Sequence, residues 1–328
     1  MKTLQSTERI LCGLTLAAAG ALAVLSTGAQ AQSNDTLAKI KQSGVISVGS
    51  RASSIPFSYQ ADANTITGYS QEISNMIVAG VEKAVGKKLQ VKLTPITSQN
   101  RISLLQNGTI DFECGSTTNN LERQKQVAFS NNIFIYGMLM LVKKDSGIKD
   151  FPDLKGKTVV TTAGTTEDRI LQKMNGEAKD ADKMNLILAK DHGQAFLTLE
   201  SGRAVAFVMD EPLLYGERTK AKNQADWVVT GTPLQTETYA CMMRKDDPAF
   251  KKVADDVIAD LMKSGERLVQ DVVPVADSAE GPEPELPDDG RHEGLVRAPE
   301  RQGHSVSRVA AHQKTNGGLN PPFFSPAA

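Results

Sequence analysis

The fold is decided by the stretch Leu104-Leu105-Gln106-Asn107-Gly108-Thr109-Ile110-Asp111-Phe112. Its first part is typical of a helix end, Asn107-Gly108 is a helix stop, and Ile110 opens a buried strand. The same order returns as Leu199-Glu200-Ser201-Gly202-Arg203-Ala204-Val205-Ala206-Phe207. This weak repeat predicts two related α/β lobes rather than one continuous sheet.

Strand-like and helix-like segments alternate around that stretch. The β-branched run at 45–49 and the runs at 91–96 and 110–114 have the composition of short strands. Between them, residues 70–85 carry apolar side chains at helical spacing, and a second helix over 98–106 ends at the quoted stop. The alternation predicts an α/β fold with a parallel sheet.

The composition excludes several classes of protein. The 328 residues include 37 Lys and Arg against 38 Asp and Glu, for a net charge of -1. This balance offers no electrostatic basis for binding nucleic acid or an anionic membrane surface. The three cysteines are too few for a disulfide-dense scaffold or a Cys-rich zinc module. No phosphate-binding loop, metal-ligand cluster or Ser/His/Asp motif is recognisable, so we expect no catalytic residues, no cofactor and no metal.

Residues 1–31 have the organisation of a secretory signal peptide. Lys2 and Arg9 form a basic start, residues 10–25 are almost wholly apolar, and Ala29-Gln30-Ala31 provides small residues for cleavage near Ala31. The alternative is a membrane anchor, but the apolar run is too short and no charged stop follows it. The sequence therefore predicts export.

Removal of such a leader would change what the cysteines can do. Cys114 and Cys241 would remain. In an oxidising compartment this pair is a candidate disulfide, but two buried thiols that never meet are equally compatible with the spacing.

Polar side chains follow the predicted strands at their carboxyl ends, where ligands of α/β sheets bind. Three arginines with several hydroxyls suit a ligand with more than one carboxylate, because guanidinium binds carboxylate through two hydrogen bonds. One acidic residue among them suits a single ammonium, so the set describes an acidic amino acid. For any one of these arginines, the alternative to ligand binding is a salt bridge at the protein surface. The candidates are Arg51, Ser98, Arg101, Ser116, Thr118, Arg123, Thr165, Thr166, Lys190, Asp191, His192 and Asp210.

Several of these residues lie in blocks that resemble the periplasmic solute-binding proteins of amino-acid ABC importers. Gly115-Ser116-Thr117-Thr118 followed by Arg123-Gln124-Lys125 is similar to that family in general. Longer blocks are similar to its glutamate/aspartate-binding branch, and the resemblance covers about residues 37–266. These blocks begin at Pro56, Pro95, Asp111, Lys190 and Glu200.

The resemblance implies a two-lobe periplasmic-binding-protein fold of type II, whose cleft closes on the ligand through hinge strands. It assigns residues 33–136 with 235–266 to the first lobe and 137–234 to the second. It implies that Arg123, Thr118 and the backbone near Thr165 and Thr166 hold an α-carboxylate, and that Asp210 and Ser116 hold the α-ammonium. Arg51, Ser98, Arg101 and His192 would hold the side-chain carboxylate. The implied partners are L-glutamate or L-aspartate and a membrane ABC permease, for a monomeric periplasmic protein.

The resemblance also bears on the alternatives. It places Cys114 and Cys241 in or beside the first lobe, which favours the disulfide. Some dehydratases and lyases share this fold, but they need a general acid or base, and only Asp210 and His192 titrate among the cleft candidates. The sequence does not separate a receptor-coupled sensor from a transport component, because both would use the same surface of the closed lobes.

The composition changes after Arg267. Eight of the 14 prolines and three of the four histidines lie there. One interpretation is a Pro-rich disordered tail. The other is a frameshift, because reading one base later from Val272 can encode the family's Trp-Phe pair, Pro-rich turn and Lys-Gly-Leu-Asn ending. We expect residues 267–328 to be disordered and to leave the first lobe incomplete.

Overall fold

A computed structural model of the chain describes residues 35–264. The expected signal peptide at 1–31 and the expected altered tail at 267–328 lie outside the described residues. Within 35–264, no helix has both the length and the apolar character needed to cross a bilayer.

Helices and strands alternate over most of the described chain. The α-helices are α1 (Thr36–Ser43), α2 (Tyr69–Val85), α3 (Arg101–Gln106), α4 (Leu121–Gln124), α5 (Thr166–Glu177), α6 (His192–Glu200), α7 (Glu211–Arg218) and α8 (Pro248–Ser264). The strands are β1 (Val45–Ser50), β2 (Ser53–Ser54), β3 (Ser58–Gln60), β4 (Ile66–Thr67), β5 (Gln90–Pro95), β6 (Phe112–Glu113), β7 (Ala128–Lys143), β8 (Thr158–Thr162), β9 (Asn185–Ala189), β10 (Ala206–Asp210), β11 (Trp227–Thr230) and β12 (Thr236–Met243).

The two related stretches fold as their sequences predict. After α3 the chain turns through Gly108 at φ 79°, and after α6 through Gly202 at φ 75°. Glycine takes this left-handed conformation without steric cost, so each helix stops there and a strand follows. The strand after Gly108 is shorter than the predicted 110–114, because β6 pairs with its neighbours only through Phe112 and Glu113.

The main sheet is mixed rather than wholly parallel. Its strand order is β5-β1-β6-β12-β7-β10-β8-β9, with β11 also paired to β7. β5, β1 and β6 run parallel at one end, and β10, β8 and β9 run parallel at the other. β7 and β12 are antiparallel to their neighbours. The expected parallel sheets therefore exist, but two antiparallel strands join them into one hydrogen-bonded path.

The long strand β7 connects the two lobes of this α/β fold. Its residues up to Gly137 pair with β12, and from Met138 to Val142 they pair with β10. We call the part built on β5, β1 and β6 the first lobe, and the part built on β10, β8 and β9 the second lobe. The change of partner between Gly137 and Met138 is the point where the chain passes from one lobe to the other.

The core of the first lobe is closed by helices and by a covalent link. Gly80 lets α2 approach α8 closely, since a Cβ atom there would lie 2.7 Å from Val257 Cγ2. Cys114 and Cys241 form a disulfide with their Cα atoms 4.3 Å apart. The bond ties the end of β6 to β12, so the strand that returns from the second lobe is fastened beside the loop that carries Ser116.

Candidate binding site between the lobes

The site residues named from the sequence lie at the ends of strands and the starts of helices in both lobes. Ten of the twelve candidates are nearly inaccessible to solvent, at no more than 6% exposed, whereas Lys190 is exposed and Asp191 is half-buried. Burial of this many polar and charged groups is costly unless they find partners. From the first lobe come Arg51, Ser98, Arg101, Ser116, Thr118 and Arg123; from the second come Thr165, Thr166, His192 and Asp210.

Arg51, which follows β1, joins the lobes directly. Its Nη2 donates to Ser98 Oγ over 3.0 Å and to His192 Nε2 over 3.1 Å. Its Nη1 lies 3.5 Å from Ser116 Oγ. Three of the four groups assigned by resemblance to the side-chain carboxylate, Arg51, Ser98 and His192, therefore meet at one place.

The His192 ring is held in a defined protonation state. Guanidinium can only donate, so Nε2 of His192 accepts from Arg51 and must be unprotonated. The neutral ring then carries its proton on Nδ1 and donates to Thr162 Oγ1, 2.9 Å away. Burial and then the charges of Arg51 and Arg101 hold the pKa of His192 well below 6.5.

Arg101 enters the cleft wall from α3 but turns toward the first lobe. Its Nη1 donates to Ser116 O over 3.1 Å and to Thr117 Oγ1 over 2.5 Å. Thr117 in turn donates to the buried carboxylate of Glu113. Burial lowers the pKa of Arg101 to about 10, and the charge of Glu113 opposes that shift. Within residues 35–264, Arg101 Nε has no hydrogen-bond partner.

Arg123, in α4, forms the second contact between the lobes. Nη1 donates to Thr118 O over 3.0 Å, and Nη2 donates across the cleft to Gly164 O over 3.3 Å. Thr166 Oγ1 of the second lobe donates to Thr118 Oγ1 over 3.3 Å. Burial, then repulsion from Arg101, lowers the pKa of Arg123 to about 10.

The acidic side of the cleft surrounds Asp210 at the end of β10. Tyr239 of β12 donates its hydroxyl proton to Asp210 Oδ2, while Oδ1 has no partner in the described part of the chain. Burial, and next the negative charge of Glu167, raise the pKa of Asp210 well above its usual range. Nearby, Tyr136 donates to Glu237 Oε2 over 3.0 Å, and burial raises the pKa of Glu237 as well.

Two of the remaining candidates have local roles. Thr165 caps α5, because its hydroxyl accepts from Asp168 N over 3.2 Å and donates to Thr162 O over 2.7 Å. Asp191 caps α6 in the same way through Gln194 N, 3.0 Å away. Thr165 therefore contributes helix geometry rather than a free hydroxyl.

The cleft also contains residues that the sequence did not single out as candidates. Glu167 directly follows Thr166 at the start of α5, which was an available signal. The others carry no such signal. They lie in the connecting strands or behind the arginines, and only the pairing of strands that are distant in the sequence brings them to the cleft. These residues are Glu113, Tyr136, Glu167, Glu237 and Tyr239.

Donors and acceptors left without partners define what this site can bind. Among the residues that the structure describes, Arg101 Nε lacks an acceptor, and Glu167 Oε1 and Asp210 Oδ1 lack donors. Buried groups of both signs in one cleft match a ligand that carries carboxylate and ammonium together. Over residues 35–264, no three His, Cys, Asp or Glu side chains are placed to hold a metal ion.

Comparisons with known proteins point in the same direction. A family model for bacterial extracellular solute-binding proteins, family 3, matches residues 46–268. The "Glutamate/aspartate import solute-binding protein" of Salmonella typhimurium is 58% identical over 254 residues, which cover 77% of this chain and 83% of that protein. The "L-glutamate/L-aspartate-binding protein" of Pseudomonas aeruginosa is 56% identical over 233 residues, with coverages of 70% and 76%. The crystal structure of a mutant of ArgBP from T. maritima superimposes with a TM-score of 0.62 at 30% identity, covering 70% of this chain and 94% of that one.

Proposed function

Because this chain belongs to the bacterial extracellular solute-binding proteins of family 3, we propose that it captures L-glutamate or L-aspartate and delivers it to a membrane ABC permease. The names of the two import and binding proteins that are 58% and 56% identical to it support this ligand class. The protein binds and releases its ligand unchanged.

One structural observation carries the proposal. Three buried arginines line one cleft, and Arg51 and Arg123 each donate a hydrogen bond to the opposite lobe. Cationic groups without enough anionic partners are costly when buried, and a ligand with two carboxylates would relieve that cost. A neutral amino acid would leave one arginine uncompensated, so the cleft discriminates by charge.

The proposed roles of the residues follow from these contacts. Arg123, Thr118 and Thr166 stand where the lobes meet and would hold the α-carboxylate, with Thr165 keeping α5 in place. Asp210 and Ser116 would take the α-ammonium. The side-chain carboxylate would replace His192 or Ser98 as a partner of Arg51, and Arg101 Nε would supply a further donor. The complete proposed set is Arg51, Ser98, Arg101, Ser116, Thr118, Arg123, Thr165, Thr166, His192 and Asp210.

Lobe closure would be the functional motion. A ligand that contacts both lobes favours the closed state by its differential affinity for that state. We propose residues 33–136 with 235–266 as the first lobe and 137–234 as the second. The change of partner of β7 at Gly137 supports that boundary. The permease would recognise the closed pair of lobes, and a monomer would suffice for that task.

Export to the periplasm, with cleavage near Ala31, is part of the proposal. The extracellular family and the Cys114–Cys241 disulfide support it, since disulfides persist in oxidising compartments. We also propose that residues 267–328 belong to an altered reading frame and contribute nothing to the site. Sequencing the encoding DNA around Arg267 tests this, and removal of residues 267–328 should leave ligand affinity unchanged.

Calorimetric titration of the purified chain tests the function. L-glutamate and L-aspartate should bind at one site, while L-lysine and L-leucine should give no heat of binding. Glutamine is the informative control, because it keeps the shape of glutamate and loses only the second carboxylate. Equal affinity for glutamine and glutamate would overturn the proposal. Uptake in a strain that lacks its own importer, with and without the cognate permease, separates transport from a sensing role.

A further inference from the structure

Two carboxyl groups of the second lobe lie side by side in the cleft. Glu167, in the first turn of α5, is 2% exposed, and Asp210, at the end of β10, is 4% exposed. The two carboxyl groups are within hydrogen-bonding reach of each other. Glu167 Oε1 and Asp210 Oδ1 both lack a donor among the described residues.

One cation, Arg123, faces this pair, but its hydrogen bonds among the described residues go elsewhere. Arg123 gives its hydrogen bonds to Thr118 O and Gly164 O. Tyr239 donates only to Asp210 Oδ2, and the proton of Tyr136 goes to Glu237. The charged and titratable groups that face the pair are Arg123 from α4, Tyr136 from β7, and Glu237 and Tyr239 from β12.

Two ionised carboxylates in contact and away from water repel each other strongly, so such a pair retains one proton. That proton would also form the hydrogen bond that both orphaned oxygens lack. Burial and then Glu167 raise the pKa of Asp210, as expected for a carboxyl group that keeps a proton. Because both residues belong to the second lobe, their proximity does not depend on where the first lobe stands.

We infer that Glu167 and Asp210 share one proton in the ligand-free protein, and that the α-ammonium of the bound amino acid takes its place. The displaced proton leaves to solvent. The exchange conserves charge at the site: one proton between two carboxylates is replaced by one ammonium between the same two carboxylates. This inference rests on the proposed function and deepens it, because it makes Glu167 a second ammonium ligand and links capture to pH.

The direction of the pH dependence follows from the exchange. A reaction that releases a proton is favoured as pH rises, so affinity should increase with pH by at most about tenfold per pH unit. The increase should stop above the pH at which the free pair has already lost its proton. Binding of the same amino acid should therefore be weaker in acid.

Calorimetry in two buffers measures the released proton. Glutamate is titrated at one pH in phosphate and in Tris, whose heats of ionisation differ, and the difference in heat gives the number of protons released. The parent should release up to one proton per ligand. Glu167→Gln leaves a single carboxylate that the amide can satisfy, so release should fall close to zero and the pH profile should flatten.

Asp168→Asn is the matched control. It removes one negative charge from the same helical turn, but Asp168 contacts Gly164 N over 2.9 Å and Gln172 rather than Asp210. This variant should release protons like the parent. Release that is unchanged in Glu167→Gln, or lost equally in both variants, would overturn the inference while the proposed function stands.

Infrared spectroscopy of the ligand-free proteins gives a readout that needs no ligand. The parent minus Glu167→Gln difference spectrum should contain the carbonyl band of a protonated carboxyl at neutral pH. Glu217, whose pKa burial raises to about 7, contributes equally to both proteins and cancels. Absence of the band would overturn the shared proton. If the band is present but neither glutamate nor aspartate binds, the proposed function and the displacement step both fail, and the shared proton stands.

Discussion

Arg51 of the first lobe donates a hydrogen bond from Nη2 to Nε2 of His192 in the second lobe, over 3.1 Å. The two residues are 141 positions apart in the chain. The contact requires a neutral imidazole, because an imidazolium has no acceptor and would be repelled by the guanidinium. Closure of the lobes is therefore coupled to the protonation state of one histidine.

Acid should destabilise the closed protein through His192. The folded-state pKa lies well below 6.5, whereas the unfolded chain binds a proton near 6.5. The unfolded state thus binds more protons in this window, and stability falls as pH drops below about 6.5. At pH 5.5 the loss amounts to at most about 1.4 kcal/mol.

His192→Gln tests this, because glutamine can accept from Arg51 without titrating. Denaturant melts at pH 7 and pH 5.5 should show a smaller acid loss in the variant than in the parent. Asp210, whose raised pKa acts in the opposite direction, is common to both proteins and cancels in the comparison. Identical pH dependence in the two proteins would contradict the prediction.

Gly216→Ala should obstruct closure without unfolding either lobe. A Cβ atom at Gly216 in α7 would lie 2.2 Å from Ile55 O, a backbone atom of the first lobe. That distance is far inside van der Waals contact, and backbone atoms cannot move aside cheaply. We expect at least about a tenfold loss of glutamate affinity, the equivalent of about 1.4 kcal/mol, measured by calorimetry.

Gly176→Ala provides the matched control for that substitution. Gly176 also lies in a helix, α5, and apart from its own helix backbone and chain neighbours no described residue comes within 4 Å of its Cβ position. Alanine there should leave affinity unchanged. Small-angle scattering with saturating glutamate should show Gly176→Ala closed and Gly216→Ala less compact; equal compaction would argue against a steric block.

Arg101→Ala should weaken glutamate binding by about 2–5 kcal/mol, the range for truncating one partner of a buried charge pair. Part of this cost arises in the free protein, where removal of Arg101 takes one of the counter-charges away from the buried Glu113. Arg203→Ala is the control, because Arg203 is exposed and bonds Thr198 instead of the cleft. Calorimetry should find near-parent affinity for that variant, and a similar loss in both would point to a global effect of charge.

Replacing both Cys114 and Cys241 by serine should lower stability more than it lowers affinity. The bond closes a segment of 127 residues, for which loop-closure entropy alone suggests about 4–5 kcal/mol. Neither cysteine belongs to the proposed ligand-binding set, so affinity below the melting transition should stay within a few fold. Guanidinium unfolding gives the stability, and thiol titration of unreduced parent should find no free cysteine; two free thiols would refute the bond.

The sequence by itself determined the local framework of this protein. The α/β alternation, the helix stops at Gly108 and Gly202 and the polar residues at strand ends are all readable, because each depends on a few neighbouring side chains. Only the tertiary structure decided the antiparallel pairing of β7 with β12. No periodicity of one strand identifies its partner, since pairing depends on residues that are distant in the chain.

The chemistry of the site also depended partly on the sequence and partly on the tertiary structure. Residue types and their position after strands were enough to nominate three arginines and Asp210. The partners of those groups depended on closure of the two lobes. Burial and then the charge of Arg51, which comes from the other lobe, lower the pKa of His192. Asp210 faces Glu167 because β10 ends beside the start of α5. Burial and charge proximity set these states, and both arise only when residues far apart in sequence are brought together.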